Sequence, residues 1–365
     1  MAAYIILYLF SVFLSFYSYL KENTSKIPFL IFFIILGIFA GSRFNIGGSD
    51  YMVYELMYEN TDKDFSDVFS PDYFLLMATE KGYIVLMSVF NYLGADFNTF
   101  LLFLGITCSI GLYFIFTRYS NIYGVLLMIF FAKGFLYYFF TAQRQIIAMI
   151  ICWLAIKFVV ERKFLKFFLM VILASLFHTS AIMFLVIYFF CNIKIDNKKA
   201  IILLIISIAL GALKIGTLIG MQISSFLPFG AEKLTDYLEE EGAAGANILN
   251  FIEIIPVLFV ILMSRHRIES KIKYFNLFFN LYVFFVMITF AFYDFAFIAR
   301  LKGYFVIGYI VILSSLLYIP NKKTISVGIL LILAFYCFAV YTRELLVFDN
   351  GEGYLPYKSY FFKDF

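Results

Sequence analysis

Charge is what this sequence has least of. Asp, Glu, Lys and Arg make up 14% of its 365 residues, where a soluble domain carries roughly a quarter. A water-soluble globular domain of this length is excluded on that ground. Cysteine is scarce too: Cys108, Cys152, Cys191 and Cys337 stand in or at the ends of apolar runs with no metal-like spacing. They read as small core hydrophobes and exclude a disulfide framework or a cysteine-built metal centre. No Gly-Lys-Ser/Thr phosphate loop, dinucleotide fingerprint or zinc spacing occurs. No cofactor, no metal and no nucleic-acid partner is therefore expected. The first apolar run lacks a basic flank and a small-residue cleavage site, so it is expected to be a retained span and not a signal peptide. Internal repeats and low-complexity tracts are missing as well.

What remains is apolar. Hydrophobic residues make 64% of the chain, with 50 Phe and 28 Tyr. The expected fold class is an all-α polytopic membrane protein, a single integral-membrane domain over residues 1–365. The aromatic share exceeds what two interfacial belts require, so many rings must pack between helices or line a cavity.

A membrane span needs about 17–25 apolar residues. Ten stretches qualify: Tyr4–Leu20, Ile27–Ser42, Phe97–Thr117, Ile122–Phe140, Gln145–Val160, Ala200–Gly220, Ile248–Ser264, Tyr274–Phe292, Leu301–Ile319 and Thr324–Tyr341. Thr79–Leu93 is too short and too polar at its start, and fits an outer interfacial or re-entrant helix. Leu165–Cys191 holds either one full span or two short arms meeting near His178.

Positive-inside counting chooses between these last two. Basic residues gather in six connections, at Lys21/Lys26, Arg118, Arg162–Lys166, Lys194–Lys199, Arg265–Lys273 and Lys322/Lys323. Two other connections are acidic: 43–72 carries seven acids against two bases, and 221–246 five against one. If Leu165–Cys191 enters and returns, every basic connection faces the cytoplasm and both acidic ones face out. Each arm then measures about 20–22 Å at 1.5 Å per residue, short of the roughly 30 Å hydrocarbon core. The turn at His178 would lie below the outer surface, where irregular backbone survives only against protein or a water-filled cavity. The same sidedness puts outer loops 43–78 and 221–246 and a tail, 342–365, on the non-cytosolic side.

Arg43, Arg144 and Arg300 then occupy outer span ends, the side on which Arg is under-represented. Arg43 precedes Gly47 and Gly48, with Asp50 or Ser49 placed to cap a helix from Tyr51. Arg144 sits in the first turn after Thr141, where a cation opposes the helix dipole unless an anion binds there. Arg300 has Asp294 as a candidate partner. His178 is one of two histidines; the other, His266, belongs to a basic loop. An imidazole suits proton abstraction near neutral pH, and Asp50 is the reserve base. Each of these has a structural alternative: a juxtamembrane anchor, a helix cap, an ion pair, or a buried His bonded to a carbonyl. Glu80 is explained by a carboxylate's preference for a helix N-terminus. Lys133, Lys157, Lys214 and Glu253 also lie in or near spans and are not ranked.

Several of these residues together resemble a known family. Arg43 is followed seven residues on by Asp50-Tyr51. Then come Ala142-Gln143-Arg144-Gln145 with Ala148, and Ala174 with Phe177-His178-Thr179-Ser180-Ala181. Arg300 with Tyr304, and Pro356-Tyr357, complete the set. Their order and spacing resemble the EpsG-type group of bacterial Wzy-like polysaccharide polymerases over essentially the whole chain. Gly48-Ser49-Asp50 departs from an expected Gly-Thr-Asp but keeps the hydroxyl.

The resemblance implies a multi-pass enzyme of the bacterial inner (plasma) membrane, similar in architecture to lipid-dependent membrane glycosyltransferases. It implies joining of undecaprenyl-pyrophosphate-linked repeat units, of O-antigen, capsule or exopolysaccharide type, on the periplasmic or outer face. His178 and Asp50 would be catalytic. Arg43, Arg144, Arg300, Gln143, Tyr51 and Tyr304 would bind pyrophosphate or glycan. The partners implied are the lipid-linked donor and acceptor, the bilayer, a flippase and a chain-length regulator. A flippase of the same lipid-linked glycan, an O-antigen-type ligase and, more remotely, an acyltransferase are the alternative readings.

Overall fold

The computed structural model describes residues 1–21, 24–61, 79–191, 193–219, 248–295 and 300–362. Residues 62–78 of the outer loop 43–78 and all of 221–246 lie outside the described residues. Everything regular that is described is helical, and the one bridge of β type joins Arg43 to Ser359. Two compact units divide the chain: Met1–Ile182 with Val327–Phe365, and Met183–Ser326.

The first unit contains α1 (Ala2–Leu20), α2 (Ile27–Gly41), α3 (Ser49–Glu59), α4 (Lys81–Tyr92), α5 (Phe97–Tyr119) and α6 (Tyr123–Phe130). After α6 the helix widens into two π turns, Phe131–Phe135 and Tyr137–Thr141. It then breaks at Ala142 and restarts as α7 (Gln143–Val160), followed by α8 (Phe164–Ser175). In lipid, apolar surface alone does not drive helices together, so close backbone approach by small residues does much of that work. Gly37 and Gly41 on α2 face Gly105 on α5; a Cβ on Gly105 would stand 2.4 Å from the Gly37 carbonyl oxygen. On α1, the Ser15 hydroxyl donates to the Gly124 carbonyl at 2.8 Å, joining α1 to α6.

After α8 come a tight turn, a 3-10 stretch Thr179–Leu185 and a one-turn helix α9 (Val186–Phe190). The second unit continues with α10 (Asn197–Ala212), α11 (Ile248–Ile268), α12 (Phe275–Ala291), a 3-10 turn Arg300–Phe305 and α13 (Val306–Ser314). Within it, Asn280 of α12 donates to the Phe190 and Ile193 carbonyls at 2.7 and 2.8 Å, closing the end of α9. Glu253 of α11 accepts from the Tyr309 hydroxyl of α13 at 2.5 Å. These bonds satisfy polar groups that the apolar surroundings would otherwise leave costly.

The last helix, α14 (Lys323–Val347), returns the chain to the first unit. It runs six residues past the expected end at Tyr341, so the tail starts at Phe348. That tail folds back on the segment after α2. Tyr357 donates to the Phe39 carbonyl at 2.7 Å, Phe44 N–H donates to Lys358 O at 3.0 Å, and Gly47 N–H donates to Gly353 O at 2.8 Å.

Six described helical segments are long and apolar enough to cross a membrane: Ala2–Leu20, Phe97–Tyr119, Gln143–Val160, Leu249–Ile268, Arg300–Tyr318 and Lys323–Val347. The protein is therefore a helical, membrane-integral one. Other expected spans are shorter than read from sequence. Ile27–Gly41 has 15 residues, and the helix expected over Ala200–Gly220 ends at Ala212 before Lys214, whose φ of 50° places it in a left-handed turn. All four cysteines are buried and none forms a disulfide.

Candidate functional site

The site is assembled by three helix starts and one helix break, all in the first unit. On α3, Tyr51, Tyr54 and Tyr58 fall on one face and bury against Tyr83, Ile84 and Met87 of α4 and Phe97 and Phe100 of α5. Expected caps do not form: Gly48 is the residue before α3, so Ser49 and Asp50 lie inside its first turn. Packing of the three rings fixes the rotation of α3 and points the Tyr54 hydroxyl at Arg144, 3.5 Å from its Nε. The guanidinium also lies over the Tyr54 ring, 5.8 Å from its centroid, a cation–π arrangement.

Arg144 stands in the first turn of α7, preceded by Ala142 with no side-chain cap. Thr141, the expected cap, instead donates to the Tyr137 carbonyl inside the π turn. The widened helix thus ends on its own backbone and leaves the head of α7 to other partners. One of these is Glu80, just ahead of α4. Glu80 is in extended conformation and makes no cap bond to α4, because both its oxygens are used elsewhere.

Glu80 Oε2 accepts from Arg144 Nη1, which also donates to Thr79. Glu80 Oε1 pairs with His178 Nδ1 at 2.9 Å and accepts from the Thr179 backbone N–H at 3.2 Å. Two basic side chains therefore converge on one carboxylate from positions 64 and 98 residues away. Its side chain is 13% exposed, against 28% each for Arg144 and His178. Burial alone would raise the Glu80 carboxyl; the His178 hydrogen bond and the Arg144 charge outweigh that and hold it down at about 2. It is ionised at any working pH and can only accept.

The break that presents His178 has a simple cause. After Ser175 the Phe177 N–H tightens onto the i−3 carbonyl of Ala174 at 3.0 Å, His178 N–H makes a last α-type bond to the same oxygen at 3.0 Å, and the ladder ends there, leaving His178 at the break. Leu176 O, released by the break, accepts from Gly82 N–H at 2.8 Å. A Cβ on Gly82 would stand 2.7 Å from that same oxygen. Only glycine lets the first turn of α4 lie this close to the break, and that approach brings Glu80 to His178.

Among the described residues, none of the other expected site residues of the first unit bonds to Glu80. Arg43, expected to face substrate, is 2% exposed. It donates to the carbonyls of Ile46, Ala40 and Phe140 at 3.1, 2.6 and 3.4 Å, and lies over the Phe140 ring. The void beside it, shared with Gln143, is about 10 Å³, no more than one water fills. Gln143 is itself buried, accepting from Tyr83 at 3.4 Å. Tyr51 is buried against Phe97, its hydroxyl on Asn98 at 3.3 Å. Asp50 is exposed on α3, one turn before Tyr54. Arg300, exposed, and Tyr304, buried, belong to the second unit. Asp294, the expected partner of Arg300, accepts from the Thr217 N–H and hydroxyl at 2.9 and 2.8 Å.

Glu80 is the site residue that sequence reasoning passed over, together with Thr79 and Tyr54. A signal was there. A carboxylate at the head of a helix too short to span, on the same expected side as two isolated cations, is more than a dipole partner.

Fold and site together define a helical membrane protein with a polar, partly open cluster of Arg, Glu and His set among apolar helices. The family model described as the EpsG family matches residues 26–359. The chain belongs to that family of polysaccharide-polymerase type. No curated protein and no solved structure matches it.

Proposed function

We propose that this protein polymerises oligosaccharide repeat units carried on undecaprenyl pyrophosphate, at the outer face of the bacterial inner membrane. The observation that carries this reading is the convergence of Arg144 and His178 on Glu80. It sets a cation suited to an anionic leaving group beside an imidazole suited to a hydroxyl acceptor.

In the reaction, His178 takes the proton of the acceptor hydroxyl. That oxygen bonds to the anomeric carbon of the donor, whose bond to the pyrophosphate oxygen breaks, and the lipid pyrophosphate leaves with the electron pair. Pyrophosphate is a good leaving group, so the donor side needs charge stabilisation more than a proton. A charge-assisted hydrogen bond from a guanidinium contributes roughly 1.5–3 kcal/mol to that. The base contributes roughly 10²–10⁴-fold in rate.

The ten-span, outward-facing topology belongs to this proposal. It is supported by α8, whose 12 residues span only about 18 Å at 1.5 Å each. Its break at His178 would then lie within the membrane's depth, facing a wet cavity. The test is a polymer-length assay in cells deleted for the protein and complemented with variants. Arg144→Ala and His178→Ala are expected to leave single repeat units; long chains from both would sink the assignment.

A further inference from the structure

The carboxylate at the centre of the site has no role in the reaction as written above, yet the geometry gives it one. An ionised Glu80 offers no proton, so the ring nitrogen 2.9 Å from Oε1 must be the donor. In the neutral form of the imidazole that fixes the hydrogen on Nδ1. Nε2 of that form keeps its lone pair, and no described residue bonds to it. A neutral imidazole can abstract a proton only through its unprotonated nitrogen, and a carboxylate on the far side both selects that tautomer and stabilises the cation that forms.

The same carboxylate holds Arg144 by one edge. Nη1 is taken up by Glu80 and Thr79, and Nε by Tyr54. Nη2 finds no acceptor among the described residues. A guanidinium held in this way keeps a fixed plane and one free donor pair, and an anion can join it without displacing Glu80. Thr179 N–H, bonded to the same Oε1, locks the carboxylate to the backbone beside His178, so the imidazole cannot turn away without losing its own bond to that oxygen.

We propose that Glu80 is a positioning residue, which makes Nε2 of His178 the proton-accepting nitrogen and holds Arg144 with its Nη2 edge presented to an anion. The role rests on the glycosyl-transfer reading for its purpose but not for its geometry, and the two are separable by experiment.

His178 and His266 are the only histidines, so His266→Gln leaves one imidazole to observe. ¹⁵N-histidine spectra of that full-length protein in lipid nanodiscs read the tautomer directly. The expected result is hydrogen on Nδ1, retained in Glu80→Gln, whose amide oxygen still accepts, and lost in Glu80→Ala. Chain-elongation rate in complemented cells should fall about 100-fold or more in Glu80→Ala and by less in Glu80→Gln. A parent spectrum with hydrogen on Nε2, or a Glu80→Ala spectrum unchanged from the parent, overturns the proposal. Should Glu80→Ala not reach the membrane, Glu80→Asp, one methylene shorter, takes its place with the same two outcomes. If the tautomer changes as expected but His178→Ala still builds long chains, positioning stands and the polymerase base assignment falls.

Discussion

Gly82→Ala tests the site without touching any group that would meet substrate. The added Cβ would stand 2.7 Å from Leu176 O and 2.9 Å from Leu176 Cβ, where ordinary contact begins at 3.4 Å. Relief therefore requires α4 to withdraw by about 0.7 Å from a helix break that is itself backbone and cannot rotate away. The Gly82 N–H bond to Leu176 O, now 2.8 Å, lengthens beyond hydrogen-bonding range. Glu80, two residues earlier, moves with the helix, and its 2.9 and 3.2 Å contacts to His178 and Thr179 open by a similar amount. A displacement of about 1 Å in a positioning contact costs on the order of 10²-fold in rate, and forcing a methyl into a packed contact costs about 1–3 kcal/mol in stability. The assay pairs polymer length in complemented cells with a thermal melt of the purified protein. Gly328→Ala is the control: it lies in a helix with nothing within 4 Å of the new methyl, so it should gain about 0.5–1 kcal/mol and leave chain length unchanged. If Gly82→Ala builds chains as long as the parent does, the close approach of α4 to the break does not set the site.

Three further outcomes follow from the same geometry. The Glu80 carboxyl sits at about 2 in place of its ordinary 4.5; a depressed carboxylate adds stability above its unfolded value and loses it as pH falls through the folded one. At most about 3 kcal/mol should therefore vanish between pH 4.5 and 2, and the melting gap between parent and Glu80→Gln should close over that window; a constant gap would contradict it. Arg43→Ala leaves three backbone carbonyls without their donor, an expected loss of about 3 kcal/mol or more, seen as a lower melting temperature and reduced membrane yield. Gly105→Val must separate α2 from α5, given the 2.4 Å approach at that position, and is expected to cost about 3 kcal/mol; an unchanged melt would show that the two helices are not held by that contact.

Membrane class was legible because it follows from composition, and most helices because apolar runs are bounded by charge. Their exact ends were less so. The stretch after Phe130 reads as a plain span, since a π turn leaves no mark on hydropathy, and the charged pair Arg343-Glu344 reads as the end of a span at Tyr341 although the helix runs on to Val347. Arg144 and His178 stood out as isolated polar groups in apolar surroundings, and the structure brings them together. Arg43 stood out for the same reason, but sequence cannot tell a guanidinium turned to solvent from one spent on carbonyls of its own turn and of a π turn 97 residues away. Glu80 was concealed by a sufficient local explanation. Its partners are contributed by the starts and breaks of other helices, and no periodicity within Thr79–Leu93 points to them.

The folded-back tail has a consequence for biogenesis. Tyr4, in the first turn of the first helix, donates its hydroxyl to the carbonyl of Tyr354, and the loop around Arg43 is stitched to residues 353–360. Ribosomes release those residues long after α1 and α2 have entered the bilayer. A nascent chain must hold the loop around Arg43 with unmet hydrogen bonds until residues 353–360 arrive, so a polypeptide stopped short of Tyr354 would remain a recognisable substrate for membrane quality control.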